Sequence, residues 1–380
     1  MNENSNSTKS CKVISKLFLP QHLMFHILIF APSNCLINSA RYVCKPWDTD
    51  IGSSHFAEAW ERRACFKPGL YVENRTSKDP SYFFELKDDV NGQFERTDLG
   101  TPPKMGNIIS TCDGILLLST TNGHMFIVNP TINFWLRIPP LPVSRQHIFN
   151  RCQCTIARVP RFGKFKLFFV HRLRVSDISW YVFYVLRIGI DNSWKEIARK
   201  ECSLDLNFFL KILLIGGNDL YWIAKKKVIV MDVDKEIIVQ EYPLPHMLNS
   251  PNSKYLLMGG RLSCIVAKDL YKTFEIYILD FVSGKWSLYH EMGPFDYMAE
   301  CGHELNIMSV DFSFWINGQI IFRVTQRQKQ RGNIFPGYNS IHFGYNVKTK
   351  QLAKIEEIDV GNFAVWLYTK NLVSLPSTSA

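Results

Sequence analysis

A chain of 380 residues has room for two or three domains, or for one small module joined to a large all-β domain. Hydrophobic residues make up 46% and charged residues 21%, a globular composition rather than a disordered one, and no apolar run reaches the ~20 residues that span a bilayer. The net charge of +10 would suit nucleic acid or an acidic protein, but the basic residues are scattered; the densest runs, Lys225–Lys227 and Arg323 to Arg331, read as solvated turns.

The N-terminus, Met1 to Ser10, is polar and has no apolar signal region, so residues 1–15 are expected to be a disordered tail. The 10 cysteines show no Cys-x-x-Cys and no zinc-finger spacing, the closest pair being Cys152 and Cys154. They read as reduced thiols of an intracellular protein, in the cytoplasm and/or nucleus.

After the tail, Leu19-Pro20 opens a helix whose Leu23, Ile27 and Phe30 share one face. Ala31-Pro32-Ser33-Asn34 breaks it. A second helix is expected from about Cys35, with Leu36, Ala40, Val43 and Trp47 in one row, ending or kinking at Pro46. A third helical stretch runs from Trp47 through Phe56 to Trp60. Helices this short bury little on their own, so their apolar faces call for completion by the rest of the chain or by a partner.

From about Tyr71 the pattern becomes one of strands, and one unit recurs: an apolar strand, a polar turn and a strand that often opens on an aromatic residue. Phe84, Ile127, Val185, Val230, Ile278 and Tyr345 mark equivalent positions in six such units, several of them spaced near the ~40–50 residues of a propeller blade. The longer gaps are expected to be loop insertions, as at 326–340. Upstream of four hairpins sits a turn entering a strand, at Asp113-Gly114, Gly217-Asn218, Gly260-Arg261 and Asn317-Gly318. The expected fold is a small all-α module followed by an all-β domain, a β-propeller of about six blades; a two-sheet sandwich is the alternative.

These residues carry a resemblance. Leu19-Pro20-x-x-Leu23-x-x-x-Ile27-Leu28, followed by Arg41-x-Val43-Cys44-Lys45-x-Trp47 and Phe56, resembles an F-box. Ala31 departs from it, standing where a larger Leu is usual, and one extra residue separates Pro32 from Val43. Cys112-Asp113-Gly114-Ile115-Leu116-Leu117, Asn129-Pro130-Thr131 and Leu141-Pro142 resemble the F-box-associated, kelch-like region of plant F-box proteins; the ending Asn371-Leu372-Val373-Ser374-Leu375 is similar to that family's last strand. The resemblance implies an F-box module at 16–67 and an F-box-associated β-propeller-like domain at 68–376. It further implies a substrate-recognition subunit of a Skp-cullin-F-box ubiquitin ligase, non-catalytic and without cofactor. A Skp-type adaptor, and through it a cullin scaffold, would bind this module, with Leu19, Pro20, Leu23, Ile27, Leu28, Val43, Cys44 and Trp47 serving that contact or the folding of the module. The β domain would hold a target protein, with 143–150, 245–254, 291–306 and 326–340 as the choosing loops. No membrane contact is expected.

The enzymatic readings find little support. His22 and His26 have a metal-binding spacing, but Leu23 stands where His-Glu-x-x-His needs Glu. Cys301-Gly302-His303 could pair a thiol with a base, and reads instead as a turn. No nucleophile elbow, Walker A or dinucleotide fingerprint occurs. A nucleic-acid-binding or carbohydrate-binding propeller is the alternative function.

Overall fold

The computed structural model describes residues 20–63, 68–74, 81–86, 94–97, 106–120, 122–143, 154–159, 163–175, 178–202, 211–224, 226–248, 253–269, 271–328, 337–356, 358 and 363–375. The expected tail at 1–15, and Leu19, lie outside them. The chain divides into two compact units, Met1–Cys65 and Phe66–Ala380.

The first unit is helical: α1 (Gln21–Leu28), α2 (Ser33–Asn38), a 3-10 turn (Ala40–Tyr42), α3 (Lys45–Ile51) and α4 (Ser54–Arg63). Pro20 precedes α1 and its carbonyl accepts from the amides of Leu23 and Met24, as suits a residue with no N–H to lose. The second helix is shorter than the row from Leu36 to Trp47 predicts. It ends at Asn38, and Pro46 lies in the first turn of a new helix, α3, instead of ending the old one. Among the described residues of this unit, Leu28, Ile29, Leu36, Ala40, Ile51, Phe56, Ala57 and Trp60 are the buried hydrophobic side chains. Trp60 donates its indole N–H to the Ala31 carbonyl at 3.0 Å, and Phe25 meets Phe56 edge-on with centroids 5.3 Å apart.

The second unit is a propeller of six four-stranded antiparallel sheets. Blade one holds β1 (Gly69–Asn74), β2 (Tyr82–Leu86) and β3 (Phe94–Thr97). Blade two holds β4 (Asn107–Cys112), β5 (Ile115–Ser119), β6 (Met125–Asn129) and β7 (Phe134–Arg137). Blade three is β8 (Cys154–Arg158), β9 (Phe165–Val175), β10 (Ile178–Arg187) and β11 (Lys195–Cys202). Blade four is β12 (Lys211–Gly216), β13 (Asp219–Ile223), β14 (Lys227–Asp232) and β15 (Ile237–Pro243). Blade five is β16 (Lys254–Met258), β17 (Arg261–Asp269), β18 (Thr273–Asp280) and β19 (Lys285–Met292). After α5 (Tyr297–Cys301), blade six is β20 (Ile307–Ile316), β21 (Gln319–Gln328), β22 (Gly337–Asn346) and β23 (Gln351–Lys354). The next strand, β24 (Phe363–Tyr368), pairs with β1 and so becomes the innermost strand of blade one. The innermost strands neighbour one another all the way round: β4 with β8, then β12, β16, β20, β24 and β4 again.

Each blade buries both faces, because successive residues of a strand point to opposite sides. On β5, Ile115 and Leu117 meet Ile156, Leu167 and Phe169 of blade three, whereas Leu116 and Leu118 meet Tyr71 and Phe83 of blade one. This is why β5 reads as an unbroken apolar run rather than an alternating one. Between blades five and six the filling is aromatic, with Phe274, Phe295, Phe312, Phe322, Phe343 and Tyr345 in one cluster.

The turn before a fourth strand places its last residue at positive φ in four blades: Asn133, Glu236, Gly284 and Lys350. Only two of these are the Asn or Gly that this conformation favours. The long spacings of the repeat have two sources: longer connections, since β7 ends at Arg137 and β8 begins at Cys154 while β19 ends at Met292 and β20 begins at Ile307, and longer strands, since β9 and β10 have 11 and 10 residues and β20, β21 and β22 have 10 each. Thus 326–328 and 337–340, expected as loop insertion, are strand; 329–336 lie outside the described residues. Residues 371–375, expected as a last strand, run as irregular chain beyond β24. No helix among the described residues is long and apolar enough to cross a membrane.

Candidate functional site

On the helical unit the structure separates the expected contact residues into two groups. Of the residues expected to serve contact or folding, Leu28 is 4% exposed and packs inside the unit. Trp47 is half-buried and donates its indole N–H to the Met24 sulfur at 3.1 Å, tying α3 to α1. By contrast Leu23, Ile27 and Val43 are 43%, 59% and 62% exposed, and Pro20 and Cys44 also face solvent. Two further apolar residues join them, Phe30 at 69% and Tyr42 at 81%. Tyr42 escaped the sequence reading because a continuous second helix leaves it outside the row Leu36-Ala40-Val43. The early end of α2 is what turns both Tyr42 and Val43 outward. Leu23 and Ile27 lie on α1 and Phe30 in the turn that follows it, and Arg63 lies over the Phe30 ring, 4.8 Å from its centroid.

His22 and His26 are exposed on α1, and among the described residues no group of three or more His, Cys, Asp or Glu could hold a metal ion. In the Cys301–His303 turn the imidazole Nδ1 lies 2.9 Å from the Cys301 carbonyl oxygen rather than at the thiol. Burial raises the Cys301 thiol pKa, opposite to what a nucleophile requires.

In the propeller, the motifs that carry the family resemblance converge on ring closure. Asn129 donates its amide to the Asn371 side-chain oxygen at 2.6 Å and to the Val373 carbonyl at 3.0 Å. Asn371 donates in turn to the Asp113 carbonyl, and Thr131 Oγ1 bonds the Tyr368 hydroxyl at 2.7 Å. Thr111 Oγ1 donates to the Leu367 carbonyl at 2.9 Å. Gly114, at φ +76°, lies where a Cβ would run into the Thr369 carbonyl and the Asn371 amide. Asp113-Gly114 and Asn129-Pro130-Thr131 are thus the anchor points on blade two for the chain that follows β24.

A second polar tie joins blades three and four. Glu236, 9% exposed, accepts from both Nε and an Nη of Arg187 at 2.8 and 2.7 Å, and pairs with Lys166 at 2.8 Å. Burial alone would raise its pKa, but the hydrogen bonds from Arg187 and Lys166 outweigh it and hold the carboxyl below the usual range. One residue of each dense basic run is paired: Lys227 bonds Glu241 at 2.7 Å, and Arg323 lies 3.4 Å from Asp311, which also takes Lys254 at 2.6 Å. Trp135, 52% exposed, stands on the outermost strand β7, whereas the indole N–H of Trp366 on innermost β24 donates to Glu73 at 3.2 Å.

The antiparallel order sorts the loops. Connections between first and second strands, and between third and fourth, leave one end of the sheets; the others leave the opposite end, the connection face. The four expected target loops all belong to that face: 143–150 joins β7 to β8, 245–254 joins β15 to β16, 291–306 joins β19 to β20, and 326–340 spans β21 to β22. Of these, 144–150, 249–252 and 329–336 lie outside the described residues.

No curated protein matches this sequence. Among solved structures the chain is similar to an oligogalacturonate lyase in complex with manganese, at 9% identity and a TM-score of 0.37 over 74% of this chain and 73% of that one. It is also similar to an oligogalacturonate lyase from Vibrio parahaemolyticus, at 10% identity and a TM-score of 0.41 over 76% and 75%. For the β-propeller domain of the Trilobed protease from Pyrococcus furiosus the figures are 14%, 0.33, 77% and 73%. The chemistry of those proteins is not carried over. A family match covers residues 83–332, from β2 of blade one into the β21–β22 hairpin of blade six, and on that match the chain belongs to the KIB1-4 beta-propeller family.

Proposed function

We propose that this chain is the substrate-recognition subunit of a Skp-cullin-F-box ubiquitin ligase, working in the cytoplasm and/or nucleus. The helical unit would hold a Skp-type adaptor and, through it, a cullin scaffold; the propeller would hold the target protein. The observation that supports this reading is the set of apolar side chains left in solvent on a small helical unit: Leu23 and Ile27 on α1, Phe30 just after it, and Tyr42 and Val43 after α2. These residues are 43–81% exposed. The chain's contribution would be proximity: a bound target experiences a high local concentration of the charged ubiquitin carrier, whose reactive cysteine belongs to another protein.

The test is retention of a purified Skp-type adaptor by the full chain. Leu23→Asp with Ile27→Asp is expected to lower adaptor affinity at least about a hundredfold, since each substitution buries a charge in an apolar contact. Both positions are exposed, so the circular dichroism spectrum should stay unchanged. Undiminished adaptor binding by the double variant would refute the reading.

A further inference from the structure

Blade six carries polar side chains on a face that is otherwise apolar. On β21, Phe322 and Val324 pack toward blade five, whereas Ile321 packs toward Leu70, Val72 and Phe84 of blade one. Side chains alternate along a strand, so Arg323 and Thr325 share the face of Ile321. The ladder extends that face in two rows across three strands: Asp311, Arg323 and His342, and beside them Ser309, Thr325 and Ser340. These six side chains therefore form one continuous patch between blades six and one.

The patch deepens away from the axis of the ring. Ser309 and Asp311 are half-buried on innermost β20, and Arg323 and Thr325 are half-buried on β21. On β22, Ser340 and His342 are only 7% and 1% exposed. The polar groups are loosely tied to one another. Lys254, from the neighbouring innermost strand β16, donates to Asp311 Oδ1 at 2.6 Å. The contacts of Arg323 and Ser309 with Asp311 Oδ2, and of Thr325 with Ser340, are all 3.4 Å. Good hydrogen bonds are about 2.7–3.2 Å long. At the deep end, His342 Nδ1 has no partner among the described residues. A buried polar atom is costly until something pairs with it.

The lining indicates what that something is. Arginine and lysine only donate, hydroxyls and a neutral imidazole can donate, and Asp311 alone is restricted to accepting. Among the described residues, the charges that act on Asp311 and His342 are those of Lys254 and Arg323, both positive. Those charges disfavour a metal cation, and the described residues offer no group of three ligating side chains. Many donors and a positive bias suit an oxyanion.

We propose that this pocket between blades six and one binds the oxyanion group of a small molecule, a carboxylate or a phosphate. Arg323 and the hydroxyls of Thr325 and Ser340 donate to its oxygens, and the His342 Nδ1–H closes on it from the buried end. The site belongs to the propeller alone and does not depend on the adaptor contact.

The test is isothermal titration calorimetry of the full chain with inorganic phosphate and with acetate, at an ionic strength held constant with chloride. Saturable binding of at least one probe is expected, and the preferred probe tells a phosphate ligand from a carboxylate. Arg323→Gln should weaken that binding about tenfold or more, through loss of a charge-assisted contact. Thr325→Val keeps the shape of the side chain and should weaken it about fivefold. Should Arg323→Gln fail to fold, Thr325→Val carries the test. Lys235→Gln removes an equal charge from an exposed turn of blade four and should leave the affinity unchanged. No saturable binding of either probe up to about 10 mM, undiminished affinity in Thr325→Val or folded Arg323→Gln, or an equal loss in Lys235→Gln overturns the proposal.

Discussion

Burial, and secondarily the nearby positive charge of Arg323, push the His342 imidazole down to about 3. The ring is 1% exposed on β22, and its Nδ1 has no hydrogen-bond partner among the described residues. Its pKa in the folded state is therefore below its unfolded value of about 6.5. The stability linked to the neutral ring is fully present above that unfolded value and is lost as the pH falls toward the folded one. The loss grows by about 1.4 kcal/mol for each pH unit below about 6.5. His342→Gln removes the titration, and urea unfolding between pH 7 and pH 4 should show a flatter acid limb than the parent, whatever the variant's stability at pH 7. Parallel pH profiles would contradict this.

Among the elements, the chain that follows β24 shows how a motif can be legible before its purpose is. Asp113-Gly114 and Asn129-Pro130-Thr131 stand out as turn chemistry and as marks of a resemblance, but what they bind, Tyr368, Asn371 and Val373, lies more than two hundred residues away in sequence. Gly114→Ala is expected to cost about 2–4 kcal/mol, because it needs positive φ and meets both a carbonyl and an amide. Asn371→Ala should cost about 2–3 kcal/mol, leaving the Asp113 carbonyl and the Asn129 amide short of a partner. Thermal midpoints of the two variants within a degree of the parent would refute the anchoring role.

The strands themselves were unequally readable. Phe84, Ile127, Val185, Val230, Ile278 and Tyr345 all fall on the third strand of their blades, since these strands are apolar on both faces and end in a marked turn. The innermost strands escaped detection. β4 carries Ser110, Thr111 and Cys112, has a bulge, and satisfies its Ser110 hydroxyl on Thr155 of the next blade at 2.8 Å, so it lacks an apolar period. On the helical unit, the exposed row on α1 was visible from its spacing. The split between Leu28 as core and Val43 as surface depended on where α2 stops, which Ser39 and the following 3-10 turn decide.

At the scale of the molecule, closure of the ring is itself the main long-range interaction. Every blade lies between two others, so its apolar faces are covered only when the circle is complete. Removing residues 363–380 takes the innermost strand from blade one and the anchors from blade two. The expected outcome is the loss of a single cooperative unfolding transition and the gain of binding by a hydrophobic dye. A truncated chain that unfolds cooperatively at the parent's midpoint would show that closure does not govern the ring.

The position of β24 also sets a timetable. On the ribosome, β1 emerges before the other five blades, yet its inner neighbour is synthesised only after all of them. Throughout that interval the growing chain carries an unpaired strand edge, a surface that invites pairing with other chains. Folding of blade one is thus necessarily a late event, and the nascent protein has reason to depend on a chaperone until β24 has emerged from the exit tunnel.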